Sequence, residues 1–297
     1  MNGARAGLGF AVIPLVGGAA LEACLASVPR SAQRVVVGRV PARVAAALQG
    51  AGSAVVDSDE SVPRRRAIAA ALAGSDWIAF CEDTCRLGTA WHASFEAVRD
   101  EARVDAWSGP IEIDPALSPR GVALAALEYG EFAPHRWQRL ARDHVAGWQP
   151  VARLAGLNFV VRSSAIAAPA PPHGLIETEI QAGIVGAGRQ LGLHPGMSVR
   201  YEVEDRSGAT VAARMAHGRI YGGGLRARLS PTARLLALAK CALLPAVLAA
   251  RGLAGLPRQR RGDARAWLWI AAFALAWSAG EVVGIAFGRG HSLQAWR

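Results

Sequence analysis

The stretch "DWIAFCEDTC", residues 76–85, carries an apolar run that ends on Glu82 and Asp83 and is followed by Thr84. Two carboxylates delivered to the end of a buried strand suit a hard divalent cation and, through it, a phosphate. The plain alternative is the polar cap of a strand. Cys81, Cys85 and His92 lie close by with zinc-type donors, but they show neither a CxxC pair nor a fourth ligand. The four cysteines are too sparse for a disulfide framework, which points to a reducing compartment.

A carboxylate pair does chemistry only where elements hold it. "LGFAVIPLV" (8–16), "RVVVGRV" (34–40) and "DWIAFC" (76–81) are strand-length apolar runs that end in Gly, Pro or polar clusters. The alanine-rich stretches 18–28, 41–52 and 62–75 between them read as helices. This alternation predicts an α/β fold with a mainly parallel sheet flanked by helices, and ligands where strands give way to loops. Glu82 and Asp83 fall at such a strand end. Further on, 154–166 reads as a strand running into a turn, and "AAPAPPHG" (167–174) breaks regular structure because its prolines lack donors and fix φ. A helix closed by Gly188 and a short strand around Val199 and Tyr201 complete this part.

The tail differs in kind. Residues 233–257 and 266–288 are two apolar stretches joined by the basic loop "RQRRGDAR". The second is long enough to cross a bilayer if Glu281 finds a partner, and Trp267, Trp269 and Trp277 favour interfacial depth. The first, interrupted by Lys240, Pro245 and Arg251, suits an interfacial or re-entrant helix. A hairpin anchor that keeps Arg258, Arg260, Arg261 and Arg265 on the cytoplasmic face agrees with the positive-inside tendency. The expected division is therefore residues 1–229, carrying the sheet, and 230–297, a helical membrane-associated region. Core helices of a soluble subdomain are the bland reading.

The formal charge of +10 argues for an anionic partner only weakly, because Lys240 is the sole lysine among 33 basic residues and the bias follows composition. No nucleic-acid motif accompanies it, so nucleic acid is not an expected partner. The start of the chain, "MNGARAGLGFAVIPLV", has an apolar run too short for a secretory leader.

Several phrases together resemble the family 2 glycosyltransferases, which use nucleotide-sugar donors on a GT-A fold. "FAVIPLVGGAALEACLASV" is similar to the family's first strand and helix, and "RRRAIAAALAGSDWIAFCEDT" to the helix and strand that lead into its acidic DXD-type motif. "GPIEI", "LAGLNFVVRSSAI" and "IETEIQAGIVGAGRQLGLHPGMSV" follow in the family's order, so that the likeness covers about residues 8–205. The resemblance implies a GT-A-like fold and an inverting transfer of sugar to a hydroxyl acceptor. It places Pro14, Glu82 and Asp83 at the donor diphosphate, and Mg²⁺ or Mn²⁺ on Glu82 and Asp83 with Thr84 as a weak third position; where the family's donor residues are replaced, Arg66, with Arg64 and Arg65 as alternatives, is the candidate at the diphosphate, against a solvated helix face as the plain reading. It makes Glu177 the general base, with Glu179 in support. His217 and Arg219 fall in "MAHGRIYGGGLRARLS", a zone that in similar proteins lies near the acceptor entrance and the bilayer, with a plain linker as the equal alternative.

Two positions depart from the family's pattern. Gly38 and Arg39 stand where an Asp usually holds the nucleoside, and "LVGG" replaces the polar residues that follow the first strand. The expected partners are a nucleotide-sugar donor, a glycan or lipid-linked acceptor and membrane lipids, at the cytoplasmic face of the cell membrane. The competing expectation is a catalytically degenerate relative that keeps the fold as a binding or scaffold module.

Overall fold

Leu8–Ile13 (β1) is buried along its whole length, as a strand covered on both faces must be. In the computed structural model, which describes residues 7–140, 147–166, 168–205 and 209–296, it lies in the middle of an eight-stranded sheet. The chain continues through α1 (Gly18–Ser27), β2 (Gln33–Val37), α2 (Ala42–Gly50), β3 (Ala54–Val56), α3 (Val62–Ala73) and β4 (Trp77–Glu82). Next come β5 (Cys85–Leu87), α4 (Trp91–Val98), β6 (Val104–Ser108), β7 (Ile111–Ile113), α5 (Pro119–Tyr129) and α6 (Pro134–Leu140). β8 (Gln149–Val151), β9 (Asn158–Arg162), α7 (Glu177–Gly186), β10 (Gln190–Leu193) and β11 (Val199–Tyr201) follow. Helices α8 (Val211–Arg228), α9 (Pro231–Lys240), α10 (Leu244–Gly255) and α11 (Ala264–Phe287) end the succession.

The strand order is β3-β2-β1-β4-β9-β6-β10-β8. The half that carries the acidic motif is parallel throughout: β1 pairs with β2 and β4, and β2 with β3. β9 enters antiparallel between β4 and β6, and β8 closes the edge antiparallel to β10. The expected α/β architecture with flanking helices is therefore present, and the antiparallel insertion confines the all-parallel part to its first half. Register places Phe80 opposite Phe159, where the rings stack 6.2 Å apart. A second sheet of three strands, β5-β11-β7, begins directly after Thr84.

The strands expected over 8–16, 34–40 and 76–81 are β1, β2 and β4. β3 escapes a sequence reading because it is three residues long and only half-buried. Signals at the ends of α3 match its bounds: a proline in its first turn and Gly74 in the left-handed region after it.

Packing divides the chain elsewhere than at residue 230. One compact unit comprises residues up to 112 with 132–203; the other comprises 113–131 with 204 onward. Helix α8, expected with the sheet, belongs to the helical unit because glycines on both partners let its backbone meet that of α11. A Cβ added at Gly222 would stand 2.3 Å from the Glu281 carbonyl oxygen, and one at Gly284 would stand 2.3 Å from that of Arg219. Gly218 and Gly222 on one helix and Gly280 and Gly284 on the other repeat the small-xxx-small spacing of close helix pairs.

Within the helical unit, α9 and α10 bend by 57° at their break, and α11 alone among the described helices is long and apolar enough by itself to cross a membrane. Glu281 has its partner, because Trp277 Nε1 donates to its Oε2 at 3.0 Å. Arg251, which interrupts the first apolar stretch, pairs with Glu131 at 2.7 Å. On the outer side of α11, Leu268, Leu275 and Val282 recur every seven residues and remain uncovered, with Leu268 72% exposed. Leu235, Leu236 and Leu243 of the bent pair are uncovered as well.

Candidate active site

Helix α1 starts at Gly18 with no side-chain cap of its own, and the peptide N–H groups of the loop that leads into it, residues 15–17, need acceptors. Asp83, the residue after β4, supplies them from across the sheet. Leu15 N donates to its Oδ1 at 2.8 Å, Val16 N to both oxygens at 3.2 Å, and Gly17 N to Oδ2 at 2.6 Å. The carboxylate is 1% exposed. Asp83 thus clamps the β1–α1 loop, and its oxygens are turned to peptide groups.

Helix α3 runs beside this edge and sends three consecutive arginines to three different places. Arg64 Nη1 donates to the Pro172 carbonyl at 2.6 Å. Arg65 Nη1 donates to the Pro14 carbonyl at 2.7 Å, so Pro14 enters the site through its backbone oxygen. Arg66, whose side chain is 4% exposed, lies between two acids: Nη2 donates to Glu82 Oε1 at 3.1 Å and Nη1 to Glu177 Oε2 at 2.5 Å. Arg65 and Arg66 are therefore buried, and a solvated helix face describes neither.

Glu177 reaches Arg66 because the proline-rich loop before α7 is stitched to the start of α3. Leu175 N donates to the Pro63 carbonyl at 2.8 Å. Gly174, at φ +89°, lies so close that a Cβ there would stand 2.2 Å from the Pro63 carbonyl carbon. Only glycine fits that backbone and that contact. Glu179, two residues into α7, pairs with His173 Nε2 at 2.8 Å and not with Arg66.

The structure thus brings Glu82, Arg66 and Glu177 into one cluster, the first two buried and Glu177 half-buried, with Asp83 and Pro14 bordering it through the loop. Beyond it, at the carboxyl ends of β2 and β3, Arg39, Val40, Pro41, Asp57, Ser58 and Asp59 line an open cleft of about 560 Å³. Arg39 and Asp59 pair across it at 3.5 Å. Asp57 and Asp59 were missed by sequence reasoning; the available signal was an acid-Ser-acid turn after the short run "AVV". Gly38 is wedged between these groups, since a Cβ would meet Arg65 Nη1 at 2.9 Å and Pro14 Cδ at 3.0 Å. A side chain at position 38 would have to displace both.

The residues after β4 do not fit a resident divalent ion. Such an ion takes exposed oxygen ligands in near-octahedral array, whereas Asp83 is committed to three peptide N–H groups and Glu82 to Arg66. Thr84 Oγ1 is buried without a hydrogen-bond partner. Among the described residues no group of three or more His, Cys, Asp or Glu is placed to hold a metal. The cysteines are not ligands either. Cys24 and Cys85 donate to the Glu82 carbonyl at 3.6 and 3.2 Å, and burial pushes both thiols, and that of Cys81, well above the usual range.

Comparisons with known proteins add a likeness to solved structures. No family model and no curated protein matches the chain. Among solved structures the chain is similar to one of GalNAc-T7 with UDP, GalNAc and Mn²⁺, at a TM-score of 0.49 and 14% identity over 75% of this chain and 51% of that one. The chain thus spans about half the length of that solved chain.

His217 and Arg219 belong to the helical unit, and each has a partner there. Arg214 Nη1 contacts His217 Nδ1 at 3.3 Å, and the Trp296 ring lies 5.1 Å away. Burial, with Arg214 adding its charge, pushes the His217 pKa down to about 3. Arg214 itself pairs with Glu128 and lies over the Trp277 ring at 4.8 Å. Arg219 Nε donates to the Gly288 carbonyl at 3.1 Å, at the end of α11.

Proposed function

We propose that this chain is an inverting glycosyltransferase that moves a sugar from a nucleotide-sugar donor to a hydroxyl of a glycan or lipid-linked acceptor, in the manner of the family 2 enzymes its sequence resembles. The observation that carries the reading is the Arg66 bridge. It joins the acid at the end of β4 to the acid at the start of α7, at the carboxyl edge where α/β sheets bind their ligands.

In this reading Glu177 takes the proton of the acceptor hydroxyl while that oxygen attacks the anomeric carbon from the face opposite the departing nucleoside diphosphate. Arg66 fixes the carboxylate in place, and Glu82 fixes Arg66. The clamp of Asp83 on residues 15–17 shapes the loop that faces the donor. The cleft at Arg39, Asp57 and Asp59 offers a polar wall for the nucleoside in place of a side chain at position 38. Because the donor set does not fit Mg²⁺ or Mn²⁺, no step is assigned to an ion.

The helical unit supports a place at the cytoplasmic face of the cell membrane, within a pathway of cell-envelope glycans. The uncovered stripe of Leu268, Leu275 and Val282, with the exposed leucines of the bent pair, is apolar surface that lipid would cover.

The test is transfer or hydrolysis across a panel of nucleotide sugars by the membrane-bound protein, wild type against Glu177→Gln. Turnover that falls a hundredfold or more in the variant is the expected order of loss for a general base. A second reading, a binding module descended from such enzymes, is favoured by the commitment of Asp83 to the loop. Nucleotide binding without turnover by either protein would establish it.

A further inference from the structure

Helix α8 carries Arg219, Arg226 and Arg228 toward the carboxyl end of α11. Arg219 Nε donates to the Gly288 carbonyl at 3.1 Å. Arg226 Nη1 donates to the carbonyls of Ile285 and Ala286 at 3.0 and 2.6 Å. Arg228 Nε turns back to the Gly224 carbonyl at 3.3 Å. Arg289 joins them: a Cβ at Gly224 would stand 3.0 Å from its Nη2, and one at Gly223 2.4 Å from its Cγ. Gly290, likewise, lies against the Arg219 guanidinium.

Among the described residues, Arg219, Arg226 and Arg228 bond to backbone carbonyls and to no carboxylate. Each guanidinium has five donors in a planar fork, and the carbonyls engage one nitrogen apiece. Helix-end carbonyls carry only partial negative charge, so they orient these cations without neutralising them. The result is a preorganised cationic group at one end of the helix whose outer stripe, Leu268, Leu275 and Val282, is bare. An occupant that matches both parts has an anionic oxygen head and an apolar tail.

We propose that Arg219, Arg226, Arg228 and Arg289 form a binding site for the phosphate group of a membrane lipid, whose acyl or prenyl chain lies along the outer face of α11. The proposal rests on the membrane association put forward above and deepens it. Clustered arginines at the membrane surface draw anionic headgroups with a strength that scales with their number, and forks of this kind suit phosphate bidentately. The same phosphate chemistry occurs in a bulk phosphodiester lipid and in a polyprenyl phosphate of the kind that carries glycans.

The experiment is vesicle flotation with the full chain, using phosphatidylcholine vesicles alone, with phosphatidylglycerol, or with a small fraction of polyprenyl phosphate. Phosphatidylglycerol is expected to raise vesicle binding of the wild type, and the double variant Arg226→Gln/Arg228→Gln to lose about tenfold or more of that gain. Arg226→Lys/Arg228→Lys, which keeps the charge, is expected to retain most of it. Arg30→Gln/Arg43→Gln, which removes the same charge from exposed positions on the sheet-bearing unit, is expected to retain all of it.

Equal losses in the two glutamine doubles would overturn the site in favour of diffuse attraction by a basic chain. Equal flotation on neutral and anionic vesicles would overturn it while leaving membrane association intact, and flotation on neither would overturn both. Binding to polyprenyl phosphate at a fraction where phosphatidylglycerol has no effect would support the site and identify a lipid-linked substrate as its occupant.

Discussion

Arg66 Nη1 donates to Glu177 Oε2 at 2.5 Å, across 111 residues of chain, while its Nη2 holds Glu82. Neither acid carries its position alone: one ends a strand, the other starts a helix, and a buried cation decides their separation. Arg66→Gln would leave two carboxylates facing one another with little water. Removing one partner of a buried ion pair costs about 3–5 kcal/mol; the partial exposure of the Glu177 side chain, 19%, argues for the lower end. Denaturant unfolding should show that loss, and Arg66→Lys should recover part of it by keeping a charge without the planar fork.

Asp83 behaves as a clamp on the loop that leads into α1. Asp83→Asn keeps the shape but offers one acceptor oxygen in place of two, and removes the charge that strengthens bonds to Leu15, Val16 and Gly17. The expected loss is about 1–3 kcal/mol. It should be accompanied by faster amide exchange at residues 15–17, while the amides of β9 keep their protection. Unchanged exchange in the loop would contradict the clamp.

Gly174 ties the proline-rich loop to α3. Gly174→Ala meets both a positive φ and the Pro63 carbonyl, and the strain of the backbone alone costs about 1–3 kcal/mol. If the loop yields, α7 shifts with it and Glu177 leaves Arg66. Activity should therefore fall further than stability does, a comparison to be made at a temperature well below the unfolding midpoint of the variant.

His217 sets a pH dependence for the helical unit. Its pKa is pushed down to about 3 in the folded chain by burial and Arg214, against about 6.5 when unfolded. Below 6.5 the unfolded state therefore binds the proton more readily. Stability is complete above that value and declines as pH falls from about 6.5 toward 3. His217→Phe removes the titrating group and should flatten this decline, as followed by thermal midpoints between pH 7 and pH 5. Asp105, held below the usual carboxylate range by Arg189 and then Arg162, acts lower: its contribution is present above about pH 4 and is lost as pH falls further.

The first half of the fold was open to the sequence because its signals are local. Buried parallel strands need continuous apolar runs, and β1, β2 and β4 supply them; Pro63 and Gly74 punctuate α3. β3 was hidden because three residues carry no periodicity, and with it went Asp57 and Asp59. Glycine also misleads when read locally. In "RIYGGGLRAR" it suggests a linker, yet those glycines let α8 lie against α11, a contact visible only when both backbones are in place.

By itself the sequence determined the alternation of strands and helices, the arrival of Glu82 and Asp83 at a strand end, and the apolar character of the tail, since each follows from residue type and short-range spacing. What the tertiary structure decided is which charges meet. Asp83 turned to the β1–α1 loop because three peptide N–H groups there had no nearer acceptor. Arg66 chose Glu82 and Glu177 because burial obliges a guanidinium to find carboxylates. Partners sixteen and 111 residues away in sequence become neighbours only once the sheet and the Gly174 contact have formed.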